Sequence, residues 1–200
     1  MSVPPTPPLL LASISPQRRA ILEQLDIPFD TIEPRYEEPP ANAHKGSDPF
    51  TVVTERARGK ARSVLDLADG RPVLGVDTEV VIDAELLGKP ADAGDAESML
   101  ERLSGHTHEV ISGLCLVTPA WEEVHHDVTE VTFRALTARD LAHYVGSREW
   151  EGRAGGYAIQ GLGAGLVERI EGDYLNVVGL PAALLVRLMA QRFPGAYGFG

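Results

Sequence analysis

The chain has 200 residues, 44% of them hydrophobic and 24% charged, enough for one substantial globular core. A formal net charge of -11 argues against a general nucleic-acid partner, because phosphate backbones are held by dense Lys/Arg fields. A small anion stays possible where cations gather in one cleft. The single cysteine, Cys115, excludes disulfides within the chain and thiolate metal clusters, and its apolar surroundings read as a buried strand.

Residues 1–8, with Pro4, Pro5, Pro7 and Pro8, read as a flexible or polyproline-like leader ahead of a single domain over 9–200. Prolines stand where an export signal would be basic, and the apolar run that follows is short. Neither export nor a membrane span is expected, and the expected compartment is the cytoplasm. Leu9 to Ala12 reads as a buried strand that runs into a helix capped by Ser15 with Pro16 at its first position and continuing to about Asp26. Residues 28–32 read as a second strand and 33–47 as a loop with a Glu37-Glu38 pair. Asp48-Pro49 opens another helix whose apolar face is Phe50, Val53, Ala57, Ala61, Val64 and Ala68.

In the segment VLGVDTEVVIDAELLGKP, residues 73–90, two apolar strand runs are interrupted by Asp77-Thr78 and followed by a turn near Asp83-Ala84. A carboxylate in that setting needs a cation, a metal or a proton to compensate it. Ala96 to Leu103 reads as a helix, 108–118 and 124–134 as an antiparallel strand pair, and Thr137 with Asp140 as a capping box for a helix to about Val145. Glycines crowd residues 152–165, where backbone can approach closely, and Pro181 opens a last helix through Leu184, Leu185 and Leu188.

Several of these residues could carry chemistry. Ser13, Ser15, Arg18 and Arg19 at a helix start form an anion site, or simply a capped helix. Lys60 is either one face of a solvated basic helix or, with Lys89 in its Gly-Lys-Pro turn, a phosphate contact. Asp77 beside such cations could activate water or hold a divalent metal, and Glu37 or Glu38 could supply a further metal ligand, since Mg²⁺ usually takes one or two carboxylates plus phosphate oxygens and water. Adjacent His125 and His126 point to opposite faces of a strand, which disfavours a metal site there. Gln160 offers both donor and acceptor to a base edge, or satisfies loop backbone.

Taken together, LASISPQRR, ARGKA, GVDTEVVID with GKP, MLERLSGHTHEVISG, AGGYAIQG and GDYLNVVGLP resemble the Maf family of nucleoside triphosphate pyrophosphatases, over about residues 9–190. The resemblance implies an α/β fold with a mixed, elongated sheet flanked by helices, related to the inosine triphosphatase architecture, with two lobes around a cleft and usually a homodimer. It also implies hydrolysis of a nucleoside triphosphate to the monophosphate and pyrophosphate with a divalent metal, Mg²⁺ or Mn²⁺. By position, Asp77 matches the proton acceptor, Lys60 and Lys89 the phosphate-contacting lysines, Ser13 and Arg18 the phosphate-binding loop, and Glu38 the acidic metal-associated loop residue, with Asp77 read in addition as a second metal ligand. Thr78 and Gln160 resemble the subfamily acting on dTTP and UTP. One departure is Gln17, which stands where the family pattern has the first arginine of Ser-Pro-Arg-Arg, so a charged fork is missing at a position tied to substrate choice. The rival expectations are a pyrophosphatase for 7-methyl-GTP or other modified nucleotides, and a nucleotide-binding regulator of septum formation.

Overall fold

The computed structural model describes residues 7–39 and 46–199. Most of the Pro-rich leader, residues 1–6, lies outside them. Seven strands form one sheet: β1 (Leu9–Ala12), β2 (Phe29–Ile32), β3 (Val73–Ile82), β4 (Glu85–Leu87), β5 (Thr107–Val117), β6 (Glu122–Phe133) and β7 (Val167–Glu171). Their order is β2-β1-β3-β5-β6-β7, with β4 also on β3. β1 pairs in parallel with β2 and β3, and the remaining pairings are antiparallel, so the sheet is mixed as expected. The helices are α1 (Pro16–Gln24), α2 (Pro49–Arg62), α3 (Ala93–Leu103), α4 (Ala138–Ser147), α5 (Tyr174–Val178) and α6 (Ala182–Arg192). No described helix is long and apolar enough to cross a membrane.

β3 carries the organisation. It shares one edge with β1 through Val73 and Leu74 and with β4 through Val80 to Ile82, while β5 pairs along the other edge from Val73 to Val81. Residues 75–79 therefore have a strand partner on one side only, and the gap between β1 and β4 is where the two lobes part. Strand alternation sends Gly75, Asp77 and Glu79 to one face and Thr78 to the other. The first face is covered by α2, whose Ala57 and Ala61 pack with Val73 and Cys115. The second face holds two separate cores. Leu74 and Val76 pack with Ile21, Leu22 and Leu185, and Val80 and Ile82 pack with Leu100, Leu103 and Tyr144. Thr78 lies at their division, and Val178 of α5 touches both cores.

Three sequence expectations are corrected here. Asp77-Thr78 does not interrupt the strand: β3 is continuous, because the ladder to β5 runs through Asp77↔Gly113 and Thr78↔Ser112. The second helix ends at Arg62, and Val64 and Ala68 join the same buried cluster around a short 3-10 turn over Leu65–Leu67. β4 and β7 were not expected as strands. The caps agree with the sequence reading: Ser15, Asp48 and the Thr137–Asp140 capping box all hold helix N-termini.

Candidate active site

A cleft of about 750 Å³ opens along the unpaired edge of β3. Its first wall is the turn from β1 into α1. Ser13 Oγ accepts from the Ser15 amide at 3.2 Å and from Arg18 Nη1 at 3.3 Å. Arg18 Nε donates to Gly179 O at 2.8 Å and Nη2 to Thr78 Oγ1 at 3.3 Å, so one guanidinium ties the β1–α1 turn to β3 and to the end of α5. Burial draws its pKa below the ordinary value, against the opposing pull of Asp77 and Glu38. The Thr78 hydroxyl also contacts Ser112 Oγ at 2.8 Å and Gly179 O at 3.3 Å. Its hydrogen bonds are spent on protein, and it holds Arg18 in place. Gln17 lines the cleft and accepts from Ser15 Oγ at 3.2 Å, whereas Arg19 is exposed and outside the lining.

The second wall is a charge cluster built where α2 crosses β3. Val53, Arg56, Ala57, Lys60 and Ala61 recur at helical spacing and all are buried, so Lys60 is not on a solvated face. Asp77 is 5% exposed, Arg56 7% and Lys60 9%. Lys60 Nζ lies 2.6 Å from Asp77 Oδ1 and 2.6 Å from Glu38 Oε1. Arg56 Nη1 lies 2.5 Å from Glu79 Oε1 and 3.7 Å from Asp77 Oδ2. Three acids thus share two buried cations, and Asp77 Oδ2, Glu79 Oε2 and Arg56 Nε have no hydrogen-bond partner. For Glu38, burial pushes the carboxyl pKa up, but its hydrogen bond and charge contact with Lys60 prevail and lower it. Glu37 is exposed and does not line the cleft.

Oxygen donors of this kind suit a hard divalent cation. Asp77 offers an unused buried oxygen, and Glu38 shares its ammonium partner, so the two could flank one ion. Among the described residues no group of three or more His, Cys, Asp or Glu side chains gathers as a metal site. A cation bound here would therefore need ligands from substrate and water as well.

Glu79 is a strongly perturbed acid. Burial, then the neighbouring Asp77 charge, raise its pKa from 4.5 to about 7 despite Arg56. A raised folded-state pKa means the folded protein binds the proton more tightly than the unfolded chain. The stabilisation is full below 4.5 and is lost as pH climbs through 7, by up to about 3 kcal/mol. Glu79→Gln is expected to flatten that part of the stability-pH curve in denaturant titrations, and an unchanged slope would count against it.

The other lobe supplies the third wall. Lys89 is exposed at the cleft, in the turn after β4, and Gln160 is exposed at the rim. Gln160 immediately precedes a glycine-rich 3-10 segment, Gly161–Leu166, which Glu149 anchors by accepting from the Leu162 and Gly163 amides at 2.9 and 3.1 Å. Arg153 lines the same wall. Away from the cleft, His108 is buried against Tyr157 Oη at 2.8 Å, and burial lowers its pKa to about 4. Cys115 is buried, as its apolar surroundings indicate.

The fold thus brings Ser13, Gln17, Arg18, Glu38, Lys60, Asp77, Thr78, Lys89 and Gln160 to one cleft. Sequence reading missed Arg56, Glu79, Glu149 and Arg153. For two of them a signal existed: Arg56 is one helical turn before Lys60, and Glu79 is two strand positions after Asp77.

Residues 8–192 match the family described as Maf-like protein. The dTTP/UTP pyrophosphatase of Nitratidesulfovibrio vulgaris is 47% identical over 186 residues, 92% of this chain and 88% of the relative. The dTTP/UTP pyrophosphatase of Deinococcus radiodurans is 40% identical over 194 residues, covering 97% and 96%. That of Pyrococcus furiosus is 40% identical over 188 residues, covering 90% and 93%.

Proposed function

We propose that this chain, which belongs to the Maf family, is a nucleoside triphosphate pyrophosphatase that hydrolyses dTTP and UTP to the nucleoside monophosphate and pyrophosphate. The observation that carries the reading is Asp77. Its Oδ1 is fixed by Lys60 and its Oδ2 is buried in the cleft without a hydrogen-bond partner. Such a carboxylate is oriented and has a free lone pair for a water proton.

In this reading Arg18, Lys60 and Lys89 hold the triphosphate, with the Ser13–Ser15 turn bracing Arg18. Asp77 orients water toward the α-phosphorus and takes its proton as the new P–O bond forms. The bond from the α-phosphorus to the bridging oxygen breaks, and pyrophosphate leaves with the electron pair. Glu38 and Asp77 would hold a divalent metal, Mg²⁺ or Mn²⁺, which supplies neutralisation of charge on the phosphoryl oxygens. Most of the rate gain comes from positioning and electrostatic stabilisation.

Pyrimidine preference rests on the curated relatives and on Thr78 and Gln160. Thr78 acts through Arg18, whose Nη2 it receives, while Gln160 faces the cleft from the rim. Gln17 leaves that wall without the second charged fork. With Mg²⁺ or Mn²⁺, purified protein is expected to release pyrophosphate from dTTP and UTP faster than from CTP or 7-methyl-GTP. Preference for the methylated purine would overturn the base assignment. Tight nucleotide binding with no pyrophosphate release would instead favour the regulatory role in septum formation. A cytoplasmic homodimer completes the proposal, and a sedimentation mass of a single chain at assay concentration would contradict the dimer.

A further inference from the structure

Arg153 lines the cleft with its Nε buried and without a hydrogen-bond partner. Its backbone is pinned: its amide donates to Trp150 O at 3.1 Å, its carbonyl accepts from Gly156 at 3.1 Å, and the Gly155 amide reaches Gly88 O at 3.0 Å, beside Lys89. Among the described residues Arg153 enters no ion pair, in contrast to Arg102, Arg134 and Arg148 of the same lobe.

Among the described residues, the cleft-lining acids other than Glu33 are already engaged. Glu149 accepts the Leu162 and Gly163 amides, Glu151 pairs with Arg148, Asp77 and Glu38 share Lys60, and Glu79 holds Arg56. A guanidinium donor left unsatisfied in a buried place is unfavourable, and its planar fork matches phosphoryl oxygens. Arg18 gives one N–H of each of Nε, Nη1 and Nη2 to protein oxygens, which leaves one N–H on each Nη for the triphosphate.

We infer that Arg153 is a substrate-contacting residue whose guanidinium takes phosphoryl oxygens of the nucleoside triphosphate, next to Lys89 and across the cleft from Lys60. The inference rests on the pyrophosphatase reading for its ligand. Because its buried Nε lacks a partner in the free protein, Arg153→Ala should not lower the unfolding midpoint.

The test compares wild type, Arg153→Lys and Arg153→Ala in dTTP hydrolysis, with pyrophosphate and thymidine as competing inhibitors. Arg153→Ala is expected to raise the KM for dTTP and the inhibition constant of pyrophosphate by about tenfold or more, and to leave that of thymidine unchanged. Arg153→Lys, which keeps the charge without the fork, should fall between. Unaltered pyrophosphate inhibition in Arg153→Ala, or an equal loss for thymidine, would overturn the assignment. If wild type released no pyrophosphate, the proposed activity would fail by itself. Calorimetric binding of dTTP to the same three proteins would still decide Arg153, with equal affinities refuting it.

Discussion

Asp77→Asn is expected to reduce pyrophosphate release from dTTP by about 10³-fold while changing dTTP affinity by only a few-fold. The substitution keeps the side chain's shape and its place on β3, but an amide cannot take a proton from water. Binding should survive because the groups proposed to hold the phosphates, Arg18, Lys60 and Lys89, are all retained. Lys60 keeps Glu38 as a partner and Arg56 keeps Glu79, so neither cation is stranded. A purely structural Asp77 predicts a different pattern, with the unfolding midpoint falling and turnover tracking the folded fraction. Single-turnover assays with enzyme in excess, read beside an unfolding curve, separate the two. Release of pyrophosphate at the wild-type rate would remove Asp77 from the chemistry.

Much of this cleft was legible in the sequence because its parts lie at element boundaries with strong local signals. Ser15-Pro16 marks a helix start, so Ser13 and Arg18 were placed beside an N-terminus before any tertiary information. Asp77 was conspicuous as an acid among β-branched neighbours, and the structure pairs it with Lys60, seventeen residues earlier on a different element. That pairing is a product of packing, which local pattern does not encode. The same limit explains the apparent break at Asp77-Thr78. Apolar alternation fails where a strand faces a polar cleft, but the backbone ladder to β5 is indifferent to side-chain type. β4, at three residues, is too short for periodicity to register and exists because the turn at Asp83-Ala84 folds it back on β3. Arg56 and Glu79 have the local pattern of charges on amphipathic elements, which does not distinguish a buried charge from an exposed one. Their burial follows from how closely α2 approaches the sheet.

That approach depends on two glycines, and Gly75→Val is expected to be among the most damaging single changes in the chain. A Cβ on Gly75 would collide with Ala57 O and come within 2.8 Å of Ala61 Cβ, and one on Gly113 would collide with Val53 O. The obstructing atoms include helix backbone, which cannot rotate aside. Accommodating valine means lifting α2 from β3 and β5, at a cost of about 3 kcal/mol or more. The same displacement would separate Lys60 and Arg56 from Asp77, since both cations ride on α2 and meet the acid at 2.6 and 3.7 Å. A shift of about 1 Å in such a constellation can lower turnover about 10²-fold. Gly75→Val should therefore lose activity even at a temperature where it remains folded. Gly75→Ala should show a smaller version of both effects. Gly146→Ala is the control, because a Cβ there meets nothing within 4 Å and the position lies inside α4, where alanine favours the helix. Denaturant unfolding and dTTP turnover measured on all three variants would test the argument. Wild-type stability and activity in Gly75→Val would mean that α2 does not set the distance between Lys60 and Asp77.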